Sequence, residues 1–142
     1  MICKPDQMSQ GKGIFLTHEI DSIPLEEQTV VQEYLNQPYL LDGLKFDIRL
    51  YVLVLSSDPL KVYLHKEGLV RFATHLYNPI KMSDKAALQN MFMHLTNYAL
   101  NKENSHYKQA KDIDDEKGHK RSYTAVLRRL KQNGCDIDLL TR

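Results

Sequence analysis

The chain has 142 residues, enough for one domain with a hydrophobic core, and its 19 basic and 18 acidic residues leave a formal net charge of +1. This balance argues against a nucleic-acid binder, which usually carries a clear basic excess. Two distant cysteines, Cys3 and Cys135, argue against a disulfide framework or a cysteine-rich zinc site. Because the sequence shows neither a membrane-span-length apolar run nor a signal-peptide pattern, we expect a cytoplasmic protein without a membrane partner.

The first half of the chain predicts short strands separated by polar loops. Strands are expected at 2–4 and 13–17, and the β-branched segment 29–35 predicts a third. The longest strand is expected at 44–57, and a turn then leads to a hairpin partner at 61–68. These strands predict a mostly antiparallel sheet.

The second half predicts helices around a polar segment. A helix is expected at 83–92 with Ser83 as N-cap, whereas the secondary structure of 93–102 is ambiguous from the sequence. The charged stretch 105–120 is expected to be a mobile surface loop. Together with the strands, these helices predict an α+β fold.

The strongest helix signal lies at 122–134. Ser122 is the expected N-cap, Gly134 the expected stop, and the apolar stripe contains Val126, Leu127 and Leu130. Asp136 then resembles the cap of a further helix, and the chain begins inside a strand pattern. We therefore expect a partial domain.

The segment 45–55 poses the main chemical question. One strand face would carry Lys45, Asp47 and Arg49, whereas the opposite face is apolar throughout, which is typical of strands covered on both sides. Buried charges must be paired or bound to a ligand, and two cations around one carboxylate suit an anion. The alternative is a solvated charge ladder at a sheet margin. Farther along, the charged face is expected to enter the core at Tyr51, Leu53 and Leu55.

Three further groups carry possible anion chemistry. Lys4 precedes a loop with Gly11 and Gly13, whose backbone N–H groups could approach phosphate, although the loop is neither a Walker A nor a Rossmann motif. Arg71 could join Arg49 to bind a carboxylate or phosphate, the alternative being a surface Glu67–Arg71 pair.

Thr96 and Asn97 could bind a ribose or phosphate, the alternative being a turn or helix cap.

Taken together, these segments resemble the tubulin tyrosine ligase-like family, and most closely its glutamylase branch. The resemblance covers Ile2 to about Asn104 and is carried by "ICKPDQMSQGKGIFL", "VVQEYLNQPYLLDGLKFDIRLYVLVLSSDPLKVYLHKEGLVRFAT" and "MHLTNYALNK". It implies a partial ATP-grasp fold and an ATP-dependent ligase. Such an enzyme would add free glutamate to glutamate side chains in the acidic tails of tubulin, through an acyl phosphate.

The resemblance also implies roles for individual residues. Arg49 and Arg71 would be catalytic, holding the acyl phosphate and the amino-acid carboxylate. Lys4 would contact the ATP phosphates, and Gly11 and Gly13 would shape the loop that covers them. The adenine hinge would consist of Gln32, Glu33, Tyr34 and Leu35. Lys45 and Asp47 would face the nucleotide, and Thr96 and Asn97 would line its pocket.

One departure limits what the chain is expected to do alone. The family binds Mg²⁺ through a late acidic residue and a Glu-x-Asn pair, and this sequence contains no Glu-x-Asn. We therefore expect the main Mg²⁺ ligands outside this chain, and no ligase activity from it alone. Two alternatives stay open: a non-catalytic nucleotide- or tubulin-binding pseudoenzyme, and a glycylase or tyrosine ligase of the same fold. The implied protein is a monomer located at the cytoskeleton, with the cilium or basal body as a further setting.

Overall fold

The computed structural model describes residues 1–81 and 84–140. The chain divides into two compact units. The first comprises Met1–Lys45 and Ala73–His106, and the second Phe46–Phe72 and Tyr107–Arg142. Strands and short helices occur in both, so the α+β prediction is confirmed.

The first unit contains a three-stranded antiparallel sheet. Strand β1 (Ile2–Pro5) lies between β2 (Phe15–Leu16) and β3 (Thr29–Gln32), with a 3-10 turn at Ile20–Ser22. Ile2 and Leu16 face each other across β1 and β2 and lie in the core of this unit. The three predicted strands are thus confirmed, although β2 and β3 are shorter than expected.

A tight hairpin ends the N-terminal part of the first unit. Strand β4 (Leu40–Leu41) pairs with the start of β5 (Leu44–Arg49) across Asp42 and Gly43. Both turn residues have positive φ, 54° and 74°, as a type I′ turn requires. This Asp-Gly turn fixes where β5 begins.

The helices of the first unit are short. They are α1 (Lys85–Gln89), α2 (Met91–His94) and α3 (Tyr98–Asn101). The predicted single helix over 83–92 is wrong because Asn90 has a non-helical backbone, with ψ at 79°, and separates α1 from α2. Asp84 caps α1, its carboxylate accepting from the Ala87 N–H at 2.9 Å. The predicted cap, Ser83, lies outside the described residues.

The second unit combines two antiparallel arrangements. The remainder of β5 pairs with β8 (Leu69–Phe72), which pairs with β9 (Lys120–Ser122). Strand β6 (Val52–Ser57) pairs with β7 (Leu60–Leu64), confirming the predicted hairpin.

Two helices follow β9, as the sequence predicts. Ser122 caps α4 (Tyr123–Gln132), its hydroxyl accepting from the Ala125 N–H, and α4 buries Val126 and Leu130. Gly134 ends it in a left-handed conformation, with φ at 84°. The Asp136 carboxylate accepts from the Asp138 N–H at the start of α5 (Ile137–Leu140), so the cap predicted there is also confirmed.

The prediction of one strand over 44–57 is wrong. Strand β5 follows β8 as far as Arg49, whereas β6 begins at Val52 and follows β7. The strand is interrupted because its two parts pair with different partners.

The expected burial also fails beyond this break. In the described part of the chain no third strand pairs with β6 or β7. Apolar side chains from Leu50 to Leu64 are therefore 42 to 69% exposed, including Tyr51, Leu53 and Leu55, which were predicted to enter the core.

Residues 105–119 contain no helix or strand. The Asp115 carboxylate organises part of this segment by accepting from the N–H groups of Lys111, Lys117 and Gly118, and the mobility of the segment stays a prediction. Among the described residues, no helix is long and apolar enough to cross a membrane.

Candidate functional site

The predicted phosphate-contacting lysine lies on the sheet of the first unit. Lys4 is on β1, opposite Val30 of β3, and its Nζ atom donates to Gln32 Oε1 at 2.8 Å. Two predicted nucleotide-binding residues are thereby brought into direct contact. The amide of Gln32 restrains the ammonium group while leaving its other N–H donors for a ligand.

The glycine loop and the "HLTNY" segment meet in the same unit. Gly11 has φ at 86°, and a Cβ atom on it would lie 2.9 Å from Asn97 Oδ1. Gly13 has φ at 68°, and a Cβ there would lie 2.9 Å from Met8 Sδ. Only glycine fits such positions without strain. The structure therefore brings Gly11 and Asn97 together.

A chain of hydrogen bonds links three side chains of this unit. Lys45 Nζ donates to the Tyr34 hydroxyl at 3.1 Å and lies 4.6 Å from the Tyr34 ring centroid. The Tyr34 hydroxyl lies 2.9 Å from His94 Nδ1, and His94 Nε2 lies 2.7 Å from the Ala87 carbonyl oxygen. A carbonyl can only accept, so Nε2 carries the proton and Nδ1 accepts from Tyr34.

Burial sets the protonation of this chain. His94 is 1% exposed, and burial lowers its pKa, an effect to which the nearby Lys45 charge contributes. Burial also raises the pKa of Tyr34, as does the neighbouring Tyr77 hydroxyl. At neutral pH, His94 is thus a neutral acceptor and Tyr34 an intact donor.

The other residues of the predicted adenine hinge lie differently. Strand β3 ends at Gln32, and the Glu33 and Leu35 side chains are exposed. Tyr34 alone turns its side chain into the hydrogen-bonded chain. The hinge role concerns backbone groups and stays a prediction.

The "HLTNY" turn is held by a residue that the sequence analysis did not single out. Asn101 is buried, and its Oδ1 atom accepts from both the N–H and the hydroxyl of Thr74. Its Nδ2 atom donates to the carbonyl oxygens of Leu95 and Asn97. Asn101 therefore fixes the backbone on either side of Thr96, while Asn97 caps α3 without a side-chain cap bond.

In the second unit, an ion pair occupies the charged face of β5. Asp47 lies directly opposite Arg71 of β8, and Arg71 Nε donates to Asp47 Oδ1 at 3.0 Å, with a second bond from its terminal nitrogen to Oδ2. These hydrogen bonds raise the pKa of Arg71. The Glu67 carboxylate instead accepts hydrogen bonds from the Gly68 N–H and the Thr124 hydroxyl, so a Glu67–Arg71 surface pair is not formed.

The second predicted arginine lies at the end of β5. Arg49 is opposite Leu69 and exposed, and among the described residues no side chain hydrogen-bonds its guanidinium. The structure thus pairs Arg71 with Asp47, across the strands, and leaves the Arg49 guanidinium facing solvent.

A metal centre has no counterpart in the described residues: no group of three or more His, Cys, Asp or Glu side chains there could hold an ion. The described residues therefore supply no complete metal centre of their own.

His94 and the Tyr34 hydroxyl were missed at the sequence level. The resemblance implies a place for Tyr34 in the adenine hinge but no role for its hydroxyl, and it implies no role for His94. The sequence signal for His94 is its position directly before Leu95, Thr96 and Asn97, which places it next to the turn that contains two predicted site residues.

Comparison with known proteins agrees with this architecture, which is that of a partial ATP-grasp fold. The model of the Tubulin-tyrosine ligase family matches residues 1–141. A probable beta-tubulin polyglutamylase of Tetrahymena thermophila is 50% identical over 140 residues, which are 98% of this chain and 12% of that protein. The tubulin polyglutamylase TTLL5 of Mus musculus is 46% identical over 140 residues, 98% of this chain and 10% of that protein. The chain belongs to the tubulin-tyrosine ligase family.

A further relative carries a related name. The tubulin monoglutamylase TTLL4 of Mus musculus is 43% identical over 139 residues, 98% of this chain and 11% of that protein. The chain thus spans only about a tenth of the length of these relatives, so what the whole proteins do is a matter for proposal.

Proposed function

We propose that this chain contributes the nucleotide- and carboxylate-binding residues of an ATP-dependent ligase that adds glutamate to glutamate side chains in tubulin tails. The observation that carries the proposal is the contact between the Gly11 loop and Asn97. Two segments far apart in sequence meet in one place, and each contains residue types that suit a phosphate or a ribose. The names of the relatives supply the substrate: polyglutamylases and a monoglutamylase of tubulin.

The first unit would bind the nucleotide. A loop whose glycines have positive φ lets backbone N–H groups approach phosphate oxygens, and Lys4 adds a positive charge restrained by Gln32. Lys45, held by Tyr34, adds a second charge. Thr96 and Asn97 would line the pocket, and the 33–35 backbone would contact adenine.

The second unit would bind the substrate carboxylates. The Asp47 carboxylate aligns the Arg71 guanidinium with two hydrogen bonds, which leaves further N–H donors of Arg71 for a substrate carboxylate. Arg49 offers a guanidinium without a protein partner among the described residues. Fixing donors before the substrate arrives is the main way in which such a site accelerates ligation.

In the proposed reaction, ATP transfers its terminal phosphoryl group to the acceptor carboxylate and leaves as ADP. The amine of free glutamate then displaces phosphate, which forms the amide bond and releases the amine proton. Each stage concentrates negative charge, which is why arginine and lysine side chains are expected there.

The proposal is tested in a chimera, because these relatives align with 98% of this chain. Residues 1–140 would replace the matched segment of the mouse tubulin polyglutamylase TTLL5, and labelled glutamate, glycine and tyrosine would be offered separately with tubulin and ATP. We expect incorporation of glutamate, loss of it on Arg71→Ala, and nucleotide binding that survives that substitution. An exposed arginine, Arg128, provides the matched control.

The other outcomes decide between the alternatives. Incorporation of glycine or tyrosine would make the segment a glycylase or tyrosine ligase part. A folded chimera that binds nucleotide or tubulin without ligation would favour the pseudoenzyme. Equal loss of nucleotide binding and ligation in Arg71→Ala would contradict the role given to Arg71. If glutamate is the substrate, the location follows that of tubulin, at the cytoskeleton and in cilia.

A further inference from the structure

The hydrogen-bonded chain through Lys45, Tyr34 and His94 has a fixed direction. His94 Nε2 must donate to the Ala87 carbonyl, 2.7 Å away, so Nδ1 must accept from the Tyr34 hydroxyl, 2.9 Å away. The Tyr34 hydroxyl therefore donates its proton to the hydrogen bond with His94 Nδ1. The hydroxyl oxygen presents its lone pairs to Lys45 Nζ at 3.1 Å.

We propose that Tyr34 and His94 are positioning residues for Lys45: the imidazole orients the Tyr34 hydroxyl, and the hydroxyl holds the ammonium group where it meets the nucleotide phosphates. This inference rests on the proposed nucleotide site for its ligand, but not for its geometry. It assigns a function to His94, the histidine of "HLTNY".

Two features of the cluster favour positioning over simple packing. A free lysine side chain samples many rotamers, and ordering it in advance lowers the entropy cost of binding an anion. Here the ammonium is restrained both by the hydroxyl and by the Tyr34 ring face, at 4.6 Å. His94 is also buried between two tyrosines, with ring centroids 5.3 Å from Tyr34 and 6.0 Å from Tyr77.

The hydrogen bonds around His94 require its imidazole to be neutral. Among the described residues, the titratable side chains that face it are Tyr34, Tyr77 and Lys45. A proton on Nδ1 would turn the acceptor into a donor, reverse the Tyr34 hydroxyl and place a second cation near Lys45. The ammonium group would then lose the Tyr34 hydroxyl as an acceptor.

The cluster offers a matched pair of variants. Tyr34→Phe removes only the hydroxyl that holds Lys45 and keeps the aromatic ring. Tyr77→Phe removes the neighbouring hydroxyl, which donates to the Asn36 carbonyl oxygen at 3.1 Å and also interacts with Tyr34, but it leaves the Tyr34 hydroxyl and its bond to Lys45 in place. For His94, Asn keeps an acceptor at the δ position whereas Leu does not.

The decisive measurement is nitrogen-15 NMR of the 142-residue chain, recorded together with ATP titrations. We expect His94 to be protonated at Nε2 alone, and a slowly exchanging Lys45 ammonium signal that survives in Tyr77→Phe and His94→Asn but is lost in Tyr34→Phe and His94→Leu. ATP affinity should fall by up to about tenfold in Tyr34→Phe, the limit set by losing the charge-assisted Lys45 contact, and by less than about twofold in Tyr77→Phe.

Three results would overturn the inference: an Nδ1-protonated His94, an ammonium signal unchanged by Tyr34→Phe, or equal weakening by both phenylalanine variants. If the unaltered chain binds no ATP, the nucleotide proposal fails by itself. The His94 and Lys45 signals then decide whether the lysine is held in place.

Discussion

Replacing Gly11 by alanine tests the contact between the glycine loop and "HLTNY" directly. At φ 86° an alanine costs about 1–2 kcal/mol of left-handed strain. Its Cβ would also lie 2.9 Å from Asn97 Oδ1 and 3.0 Å from Cγ, an overpacking that costs a further 1–3 kcal/mol or so. We therefore expect Gly11→Ala to lower the free energy of unfolding by about 2–5 kcal/mol in urea denaturation.

Gly134 supplies the control for the backbone contribution. Its φ is 84°, nearly that of Gly11, but no atom of the described residues lies within 4 Å of a Cβ placed there. Gly134→Ala should therefore cost only the strain, about 1–2 kcal/mol, and both substitutions change the unfolded chain equally. Adding Asn97→Ala to Gly11→Ala removes the two nearest atoms and keeps only Cβ, 3.3 Å away, so part of the loss should return. Equal losses for Gly11→Ala and Gly134→Ala would refute the contact.

Three further predictions concern stability and electrostatics. The fold lowers the pKa of His94, so the neutral imidazole stabilises the protein fully above about pH 6.5. As the pH falls below this value, the free energy of unfolding should decrease by up to about 1.4 kcal/mol per pH unit. Urea titrations from pH 7 to 5 should therefore show a smaller decrease for His94→Asn than for the unaltered chain. A double-mutant cycle of Asp47→Ala and Arg71→Ala should give a coupling of about 1–2 kcal/mol, and additive losses would show that the pair does not stabilise the fold. Leu130→Ala, at 3% exposure, should cost about 2–5 kcal/mol, whereas Leu53→Ala, at 60%, should change stability by less than about 0.5 kcal/mol; comparable losses would contradict the exposure of the β6–β7 hairpin.

Local signals explain what the sequence could predict. The cap at Ser122 and the stop at Gly134 depend on residues within one helical turn, and both were correctly predicted. The strand over 44–57 failed because its continuity depends on which distant strands pair with it, and the partner changes between Arg49 and Val52. Alternating hydrophobicity gives no information about that change.

The candidate site shows the same limit. Lys4, Gly11 and Asn97 were identified from residue type and resemblance, and the structure brings Gly11 against Asn97 and Lys4 against Gln32. The link from Lys45 to His94 spans 49 residues of sequence and depends on the direction of individual hydrogen bonds. Neither composition nor periodicity specifies such a contact.

Nucleotide binding by the chain itself tests the central claim most directly. ATP titrated into the unaltered protein in a calorimeter, with and without Mg²⁺, should show saturable binding to one site. Lys45→Ala should weaken it at least about tenfold, since one charge-assisted contact is lost, while Lys61→Ala, an exposed lysine on β7, should leave it within about twofold. No saturable binding, or equal weakening by the two lysine variants, would contradict the account.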